Sequence, residues 1–312
     1  MNQKPLLSYP SQFAILIGLM GAFLIVSALL IPVLGSFLMH IPSSQVLKQL
    51  TQPQYADASR VLNTLASLLA FMLPAFILAK LLSKNPFSQL GFNTVFNGRQ
   101  LFLLIVITFV SMVLSGALGE LNEWMPIPAK WYAKAKAMEE SNKASMMVMA
   151  TMRNRADYLI SLLVLALSPA IFEEILFRGG FQQVFIGWTN NKWSGIIITS
   201  ILFSAFHFSY FGFLPRVALG IVLGLIYYES KNIWFNIVLH FLNNAMIVTQ
   251  LYIISKQGKS ITKTMDESMP IWWGAIALLI LVLLFNAFKK ESIFALTEKQ
   301  RSIHSSPENI IS

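Results

Sequence analysis

Six polar residues interrupt apolar stretches of this sequence, and their types are those that act on water and carbonyl groups. They are Glu173, Glu174 and Arg178 in SPAIFEEILFRGG, His207 in LFSAFHFSYF, and His240 and Asn244 in IVLHFLNNAM. An ionisable side chain inside a membrane-spanning segment costs about 2.5 kcal/mol or more, so such residues indicate function by default. We therefore expect these side chains to face one hydrated space among the helices.

The helical spacing of these residues indicates which of them act together. Glu174 and Arg178 are four positions apart, so they share a helix face and can form an ion pair. Glu173 points about 100° away from Glu174 on a helical wheel, which makes Glu173 the freer carboxylate. His240 and Asn244 have the same four-residue spacing and present an imidazole and a carboxamide together.

This inventory fits the hydrolysis of an amide bond. A carboxylate and an imidazole share the work of a general base toward water, and a second imidazole and an amide N–H donate to a developing oxyanion. The sequence contains neither GxSxG nor HExxH. Glu173, His207 and His240 are nevertheless chemically able to bind Zn²⁺ with an open position, so a metal-held water stays an alternative.

The composition requires that these residues be positioned by membrane helices. Of 312 residues, 55% are hydrophobic and 12% are charged, about half the charge density of soluble domains. A soluble enzyme is therefore excluded. The net charge of +9 is explained by Lys and Arg in loops beside anionic lipid, and we expect no nucleic-acid partner. The absence of Cys excludes thiol catalysis and Cys-ligated metal.

Charge-free runs predict an all-α, polytopic transmembrane bundle of about eight helices. The predicted segments are 13–38, 60–80, 99–120, 157–188, one that starts after Lys192, 216–229, 233–254 and 271–288. We interpret the first of them as a retained first helix. In the segment that starts after Lys192, His207 lies about 14 residues from the start. We describe the chain in three parts: 1–150 with the first three helices, 151–255 with the candidate catalytic helices, and 256–312 with the last helix and a polar tail that we expect to be disordered at its end.

Two further expectations concern the loops. The stretch 130–155 has a helix-forming, polar composition and is either an amphipathic helix on the membrane surface or a solvated connecting helix. Lys and Arg counts in the short loops, with Arg60 counted on the outer side, favour cytoplasmic termini, and we expect a bacterial cytoplasmic membrane.

Four other residues receive structural interpretations. Arg216 follows Pro215 and is interpreted as an anchor at a membrane edge. Gly220 and Gly224 form a small-xxx-small pair that predicts close helix packing. Asn243 lies on a different helix face from His240 and is assigned to packing or solvation. Pro169 is expected to kink its helix near the carboxylates.

Three motifs in order, EExxxR (Glu173, Glu174, Arg178), FxxxH (Phe203, His207) and HxxxN (His240, Asn244), resemble those of the CPBP family of intramembrane proteases. That family includes type II CAAX prenyl endopeptidases and bacterial proteins linked to bacteriocin processing or self-immunity. The resemblance covers roughly residues 155–250.

The resemblance implies that Glu173 is the principal base, assisted by His207, that His240 and Asn244 stabilise the oxyanion, and that Glu174 and Arg178 support Glu173. It implies an intramembrane endopeptidase acting on a membrane peptide or protein, without a resident cofactor or, alternatively, with a divalent metal on Glu173, His207 and His240. It identifies neither the substrate nor the oligomeric state. A proton-coupled transporter and a non-catalytic scaffold or immunity protein stay as alternatives, although we find no internal repeat of the kind common in transporters.

Overall fold

The computed structural model describes residues 6–257 and 269–304, and within these ranges the chain forms eleven helices and no strand. The helices are α1 (Tyr9–Met39), α2 (Ser43–Gln49), α3 (Pro53–Leu82), α4 (Pro86–Gln89), α5 (Gly98–Glu123), α6 (Ala129–Met149), α7 (Arg155–Thr189), α8 (Lys192–Ala205), α9 (Phe213–Ser230), α10 (Ile233–Lys256) and α11 (Ile271–His304). The predicted all-α, polytopic bundle is confirmed.

Seven of the described helices are long and apolar enough to cross a membrane: α1, α3, α5, α7, α9, α10 and α11. The sequence predicts about eight, and the difference lies in the segment that starts after Lys192. That segment forms α8, a helix of 14 residues that ends at Ala205. Because a straight span needs about 20 residues, α8 is too short to cross alone.

Asparagine side chains define where five of the described helices begin. A side-chain oxygen that accepts from a backbone N–H of the first turn satisfies a donor that the helix cannot. The five caps are Asn85 before α4, Asn97 before α5, Asn154 before α7, Asn191 before α8 and Asn232 before α10. The helices that carry or precede the candidate site residues therefore start at defined positions.

Two of the membrane-spanning helices contain a π-helical turn, which is wider than an α-helical turn, shortly before a proline. The π-helical turn Leu68–Met72 precedes Pro74 in α3, and Leu162–Leu167 precedes Pro169 in α7. Proline lacks an N–H, and its ring clashes with the carbonyl four residues earlier in a regular helix. The wider turn accommodates that ring, so α7 continues through Pro169 toward the two glutamates.

Aromatic packing fixes α7 against α8 close to the polar residues. Phe177 of α7 and Phe203 of α8 are both buried, and their rings meet edge to face with centroids 5.2 Å apart. Leu16 of α1 and Ala75 of α3 belong to the same cluster. Lipid tails are as apolar as these side chains, so the hydrophobic effect does not bring helices together within a membrane. Van der Waals contacts of this kind do so instead.

A second apolar cluster joins the helices behind the site. It contains Leu104 of α5, Leu223 of α9, Leu239 of α10 and Phe288 of α11. This cluster positions α10, which carries His240, against α9.

The predicted close packing at Gly220 and Gly224 is present between α9 and α8. A Cβ atom on Gly220 would lie 2.8 Å from Cβ of Ser200, and one on Gly224 would lie 2.8 Å from Cγ2 of Ile196. The backbone carbonyls of the two buried glycines also accept hydrogen bonds from α7: Arg178 Nη2 donates to Gly220 O at 3.1 Å and Gln182 Nε2 to Gly224 O at 2.9 Å. The small residues thus let two neighbouring helices contact α9.

Arg60 is buried inside α3, whereas the sequence analysis places it in an outer loop. Its guanidinium donates to the carbonyls of Met149 and Thr151 and to Ser161 Oγ. These acceptors lie at the junction of α6 and α7 and at the start of α7. Arg60 therefore ties the α6–α7 connection to the bundle.

The long polar stretch after α5 forms α6, whose apolar residues are not concentrated on one face. Most of its side chains are exposed, which favours a connecting helix over an amphipathic membrane-surface helix. The first part of the polar tail continues α11 as far as His304. The end that the sequence predicts to be disordered, 305–312, lies outside the described residues.

We expect Gly220→Ala to destabilise the protein, because the new methyl group would overlap Ser200 and separate α9 from α8. Overpacking costs about 1–3 kcal/mol, so the thermal unfolding midpoint in detergent should fall by several degrees. Gly119→Ala is the control, since no neighbour lies within 4 Å of its added Cβ and alanine favours a helix. Equal midpoints for the two variants would contradict the close approach.

Candidate active site

Two adjacent glutamates of α7 lie in different surroundings. Glu174 is fully buried, whereas the side chain of Glu173 is 13% exposed. The predicted pairing of Glu174 with Arg178 is present, with Arg178 Nη1 donating to Glu174 Oε1 at 3.1 Å. His240 Nδ1 lies 2.8 Å from the same oxygen. Glu174 is therefore held by hydrogen bonds within the protein, and Glu173 is the freer carboxylate, as the spacing predicts.

Asn236 completes the surroundings of Glu174 and was missed by the sequence analysis. Its Nδ2 donates to Glu174 Oε2 at 3.2 Å and to the carbonyl of Leu223 at 2.7 Å. Asn236, His240 and Asn244 succeed one another at intervals of four residues on α10. That spacing is the signal that could have identified Asn236.

Arg178 is fully buried and lies in a π-helical stretch, Ile175–Gln182, directly after Glu174. Its guanidinium lies over the ring of Phe203, with the central carbon 5.0 Å from the centroid. A buried cation needs such partners because it has lost its hydration. π-Helical turns are frequent at functional sites, and here the stretch places Arg178 between Glu174 and the backbone of α9.

Glu173 faces both histidines. Its Oε2 lies 4.0 Å from Nε2 of His207 and 4.0 Å from Nε2 of His240. This oxygen is buried and accepts no hydrogen bond from the described part of the chain. The three side chains thus surround a short gap, too wide for direct hydrogen bonds, at which one water molecule can bridge them.

The protonation of each imidazole follows from the partner of its Nδ1. His207 Nδ1 lies 2.8 Å from the carbonyl oxygen of Phe203. A carbonyl oxygen only accepts, so Nδ1 carries the hydrogen in the neutral ring. His240 Nδ1 donates to Glu174 in the same way. In both neutral rings, the lone pair of Nε2 is therefore directed toward Glu173.

His207 does not lie within a membrane helix, contrary to the expectation that places it about 14 residues into a span. α8 ends at Ala205, and His207 follows in a turn in which its N–H donates to Ser204 O at 3.1 Å. The next residue, Phe208, has a left-handed backbone with φ of 49°, a conformation that non-glycine residues seldom adopt. The turn thus presents the imidazole at the end of α8.

The four predicted catalytic side chains line one cavity of about 470 Å³, within the size range of small-molecule sites. These are Glu173, His207, His240 and Asn244. Three further polar residues line the cavity, and none of them is among the predicted site residues: Ser115, Asn243 and Arg216. Asn243, assigned to packing or solvation, donates from Nδ2 to Asn244 Oδ1 at 3.2 Å. Arg216, interpreted as a membrane-edge anchor, also lies in the cavity wall.

The connecting helix α6 covers the turn that carries His207. Asn142 Nδ2 donates to His207 O at 3.2 Å, and Ser209 Oγ donates to Glu139 Oε2 at 2.6 Å. Asn122 of α5 contacts the same turn, donating from Nδ2 to Tyr210 O at 2.9 Å. These contacts hold the turn from outside the segment that carries the three motifs.

Glu173, His207 and His240, the residues of the alternative metal site, lie around one gap. In residues 6–257 and 269–304, no three His, Asp or Glu side chains lie close enough together to hold one metal ion. Glu173, His207 and His240 offer suitable ligand atoms, but the separations of 4.0 Å from the carboxylate exceed a compact ligand set.

The comparison with protein families matches residues 155–246 to the model described as Rce1-like, type II CAAX prenyl endopeptidase. This segment contains all three motifs, the whole of α7, α8 and α9, and more than half of α10. It is therefore similar to CAAX-type proteases over these residues, and the seven long apolar helices make the chain a multi-pass membrane protein. No curated protein and no solved structure matches the chain.

We expect Arg178→Met to lower the unfolding midpoint strongly, because it leaves the buried Glu174 carboxylate without its cation. Breaking a buried ion pair by removing one partner costs about 3–5 kcal/mol. Glu173→Gln is the control, since Glu173 Oε2 has no hydrogen-bond partner to lose. Thermal unfolding in detergent distinguishes the two, and an equal loss would show that the adjacent glutamates do not differ as described.

Proposed function

We propose that this chain is an intramembrane endopeptidase that hydrolyses a peptide bond of a membrane-proximal or lipid-associated substrate with a water activated by Glu173 and His207. The observation that carries the proposal is the buried, unpartnered Glu173 Oε2 at 4.0 Å from both histidine Nε2 atoms, at the wall of a cavity. The protease family of residues 155–246 supports it.

In this mechanism a water lies between Glu173 Oε2 and His207 Nε2, and both atoms accept its hydrogens. As the water oxygen attacks the peptide carbonyl carbon, Glu173 takes the proton that it loses. The same proton passes to the nitrogen of the leaving amine when the C–N bond breaks. Glu173 is thereby returned to the carboxylate, and neither oxidant nor cofactor enters the balance.

His240 and Asn244 act on the oxyanion that forms when water attacks. Asn244 accepts from Asn243 through Oδ1, which leaves its Nδ2 hydrogens for the cavity. A protonated His240 donates from Nε2 while its Nδ1–H stays on Glu174. Donors placed in advance at a developing negative charge stabilise the transition state in a site that excludes most water.

We expect Glu173→Gln and His207→Ala to lower peptide cleavage about a hundredfold to ten-thousandfold, the usual contribution of a general base. The assay uses purified full-length protein in liposomes and a library of apolar peptides, with and without an S-prenylated cysteine near the C-terminus, and detects products by mass spectrometry. Glu140→Gln makes the same chemical change at an exposed position of α6 and should cleave like the wild type.

If Glu173→Gln cleaved peptides at the wild-type rate, Glu173 would not be the general base. Solute flux driven by a proton gradient in the same liposomes, without cleavage of any peptide, would instead favour the transporter alternative, because buried Glu and His also form proton relays.

We further propose that the attacking water is held by Glu173 and His207 without a metal ion. Cleavage should then survive o-phenanthroline and EDTA, and elemental analysis of the purified protein should give far less than one metal per chain. One equivalent of zinc in the wild type, lost in a variant with Glu173→Ala and His240→Ala, would overturn this part of the proposal and leave the protease assignment standing.

A further inference from the structure

The turn between α8 and α9 places the imidazole that the proposed reaction uses. It comprises residues 206–212, since α8 ends at Ala205 and α9 begins at Phe213. Phe208 is held there with a left-handed backbone, at φ of 49°. A non-glycine residue keeps such a strained conformation only where its surroundings fix it. The position of the neighbouring His207 therefore depends on the contacts that fix this turn.

Two side chains of α6 supply such contacts. Asn142 Nδ2 lies 3.2 Å from the carbonyl oxygen of His207 and 3.4 Å from that of Phe208. Both carbonyls follow the end of α8, where no further helical turn provides N–H donors for them. Ser209 Oγ donates to Glu139 Oε2 at 2.6 Å. Three consecutive residues of the turn are thus bound to α6.

These contacts act on the backbone that carries the imidazole and not on its ring. The ring is oriented by Nδ1, which donates to Phe203 O at 2.8 Å, and its Nε2 lies 4.0 Å from Glu173 Oε2. A bridging water fits this separation only while the backbone of His207 stays in place. A displacement of about 1 Å at a reacting group can lower a rate about a hundredfold. The α6 contacts therefore bear on the step in which water is activated.

The two α6 residues are separable from the packing that holds the bundle together. Asn142 is exposed and Glu139 is only partly buried. The end of α6 is joined to the bundle independently of them, because the guanidinium of Arg60 donates to Met149 O at 2.9 Å. Substitutions at such surface positions have small effects on stability. A loss of activity on removing either side chain would thus report on the turn and not on folding.

We infer that Asn142 and Glu139 are positioning residues for His207, and that the proposed base is complete only while α6 is bound to the turn. Both residues lie outside residues 155–246, the part of the chain that matches the protease model. The inference rests on the proposed endopeptidase function and assigns part of its active-site geometry to the connection between α5 and α7.

The first test measures peptide cleavage in liposomes with the library used above. Asn142→Ala removes both donors and should lower kcat about tenfold to a hundredfold at a similar KM, because the base is displaced while the substrate site is unchanged. Its unfolding midpoint should equal that of the wild type, since alanine favours a helix. Ser141→Ala is the matched control at the adjacent exposed position and should cleave like the wild type. A wild-type rate in Asn142→Ala would overturn the inference.

Glu139 is tested by a pair of substitutions that separate hydrogen bonding from charge. Glu139→Gln keeps an oxygen that accepts from Ser209 and should retain most of the wild-type kcat. Glu139→Ala removes that oxygen and should lose as much as Asn142→Ala. An equal loss in both Glu139 variants would contradict a positioning role, since Glu139 would then act through its negative charge.

A double-mutant cycle separates positioning from a general structural role. If Asn142 acts by placing His207, then Asn142→Ala should cause no further loss in a His207→Ala background. The same factor of loss in both backgrounds would refute the inference, because the α6 contact would then act independently of the imidazole.

A spectroscopic measurement decides the inference even if the wild type cleaves no peptide, the outcome that would count against the proposed function instead. Protein labelled with ¹⁵N in its four histidines is studied by solid-state NMR in liposomes at about pH 8.5, well above the ordinary imidazole pKa. The signals of His207 are assigned by their absence in His207→Ala. They should show hydrogen on Nδ1 in the wild type and exchange between both ring nitrogens in Asn142→Ala, while those of His240 stay the same. Unchanged His207 signals in Asn142→Ala would show that α6 does not position the ring.

Discussion

The arrangement of this site depends on one buried carboxylate. Glu174 has no contact with solvent and receives hydrogen bonds from Arg178 on its own helix and from Asn236 and His240 on α10. A carboxylate removed from water needs a cation and several donors to stay charged, so α7 and α10 must approach closely at this level. That approach fixes the ring of His240 and turns its Nε2 toward Glu173. Two neighbouring glutamates thereby differ in role, since one joins helices and the other faces the cavity.

Much of this arrangement is encoded in helical periodicity and could be read from the sequence. The pairing of Glu174 with Arg178 and the close approach at Gly220 follow from intervals of four residues within a single helix. The role of Asn236 could not be predicted in this way, because it depends on a hydrogen bond to Glu174, which lies on another helix. Such long-range pairings depend on how the spans are arranged, which hydropathy does not specify.

The structure differs most from the sequence-based expectation at two places. An apolar stretch around His207 leaves the helix, and the charged side chain of Arg216 points into the cavity. The stretch LFSAFHFSYF contains neither glycine nor proline, so nothing in it marks the end of α8 at Ala205. Its backbone leaves the helix through the left-handed Phe208, and α5 and α6 hold the turn from outside. Arg216 resembles an anchor because basic residues near the ends of spans commonly extend toward the headgroups. Its direction is decided by the space at Gly212, which is visible only in three dimensions.

The orientation of the two imidazoles also determines what kind of molecule can occupy the centre of the cavity. With Nδ1 of each neutral ring committed to an oxygen, Glu173 and both Nε2 atoms present only lone pairs to the space between them. While both rings are neutral, an inhibitor that places an ether or a fluorine there meets repulsion from three sides. Scaffolds bearing an ammonium, a gem-diol or a hydroxamic acid bring the hydrogens that this acceptor-rich centre lacks, and medicinal chemistry on this site starts from those groups.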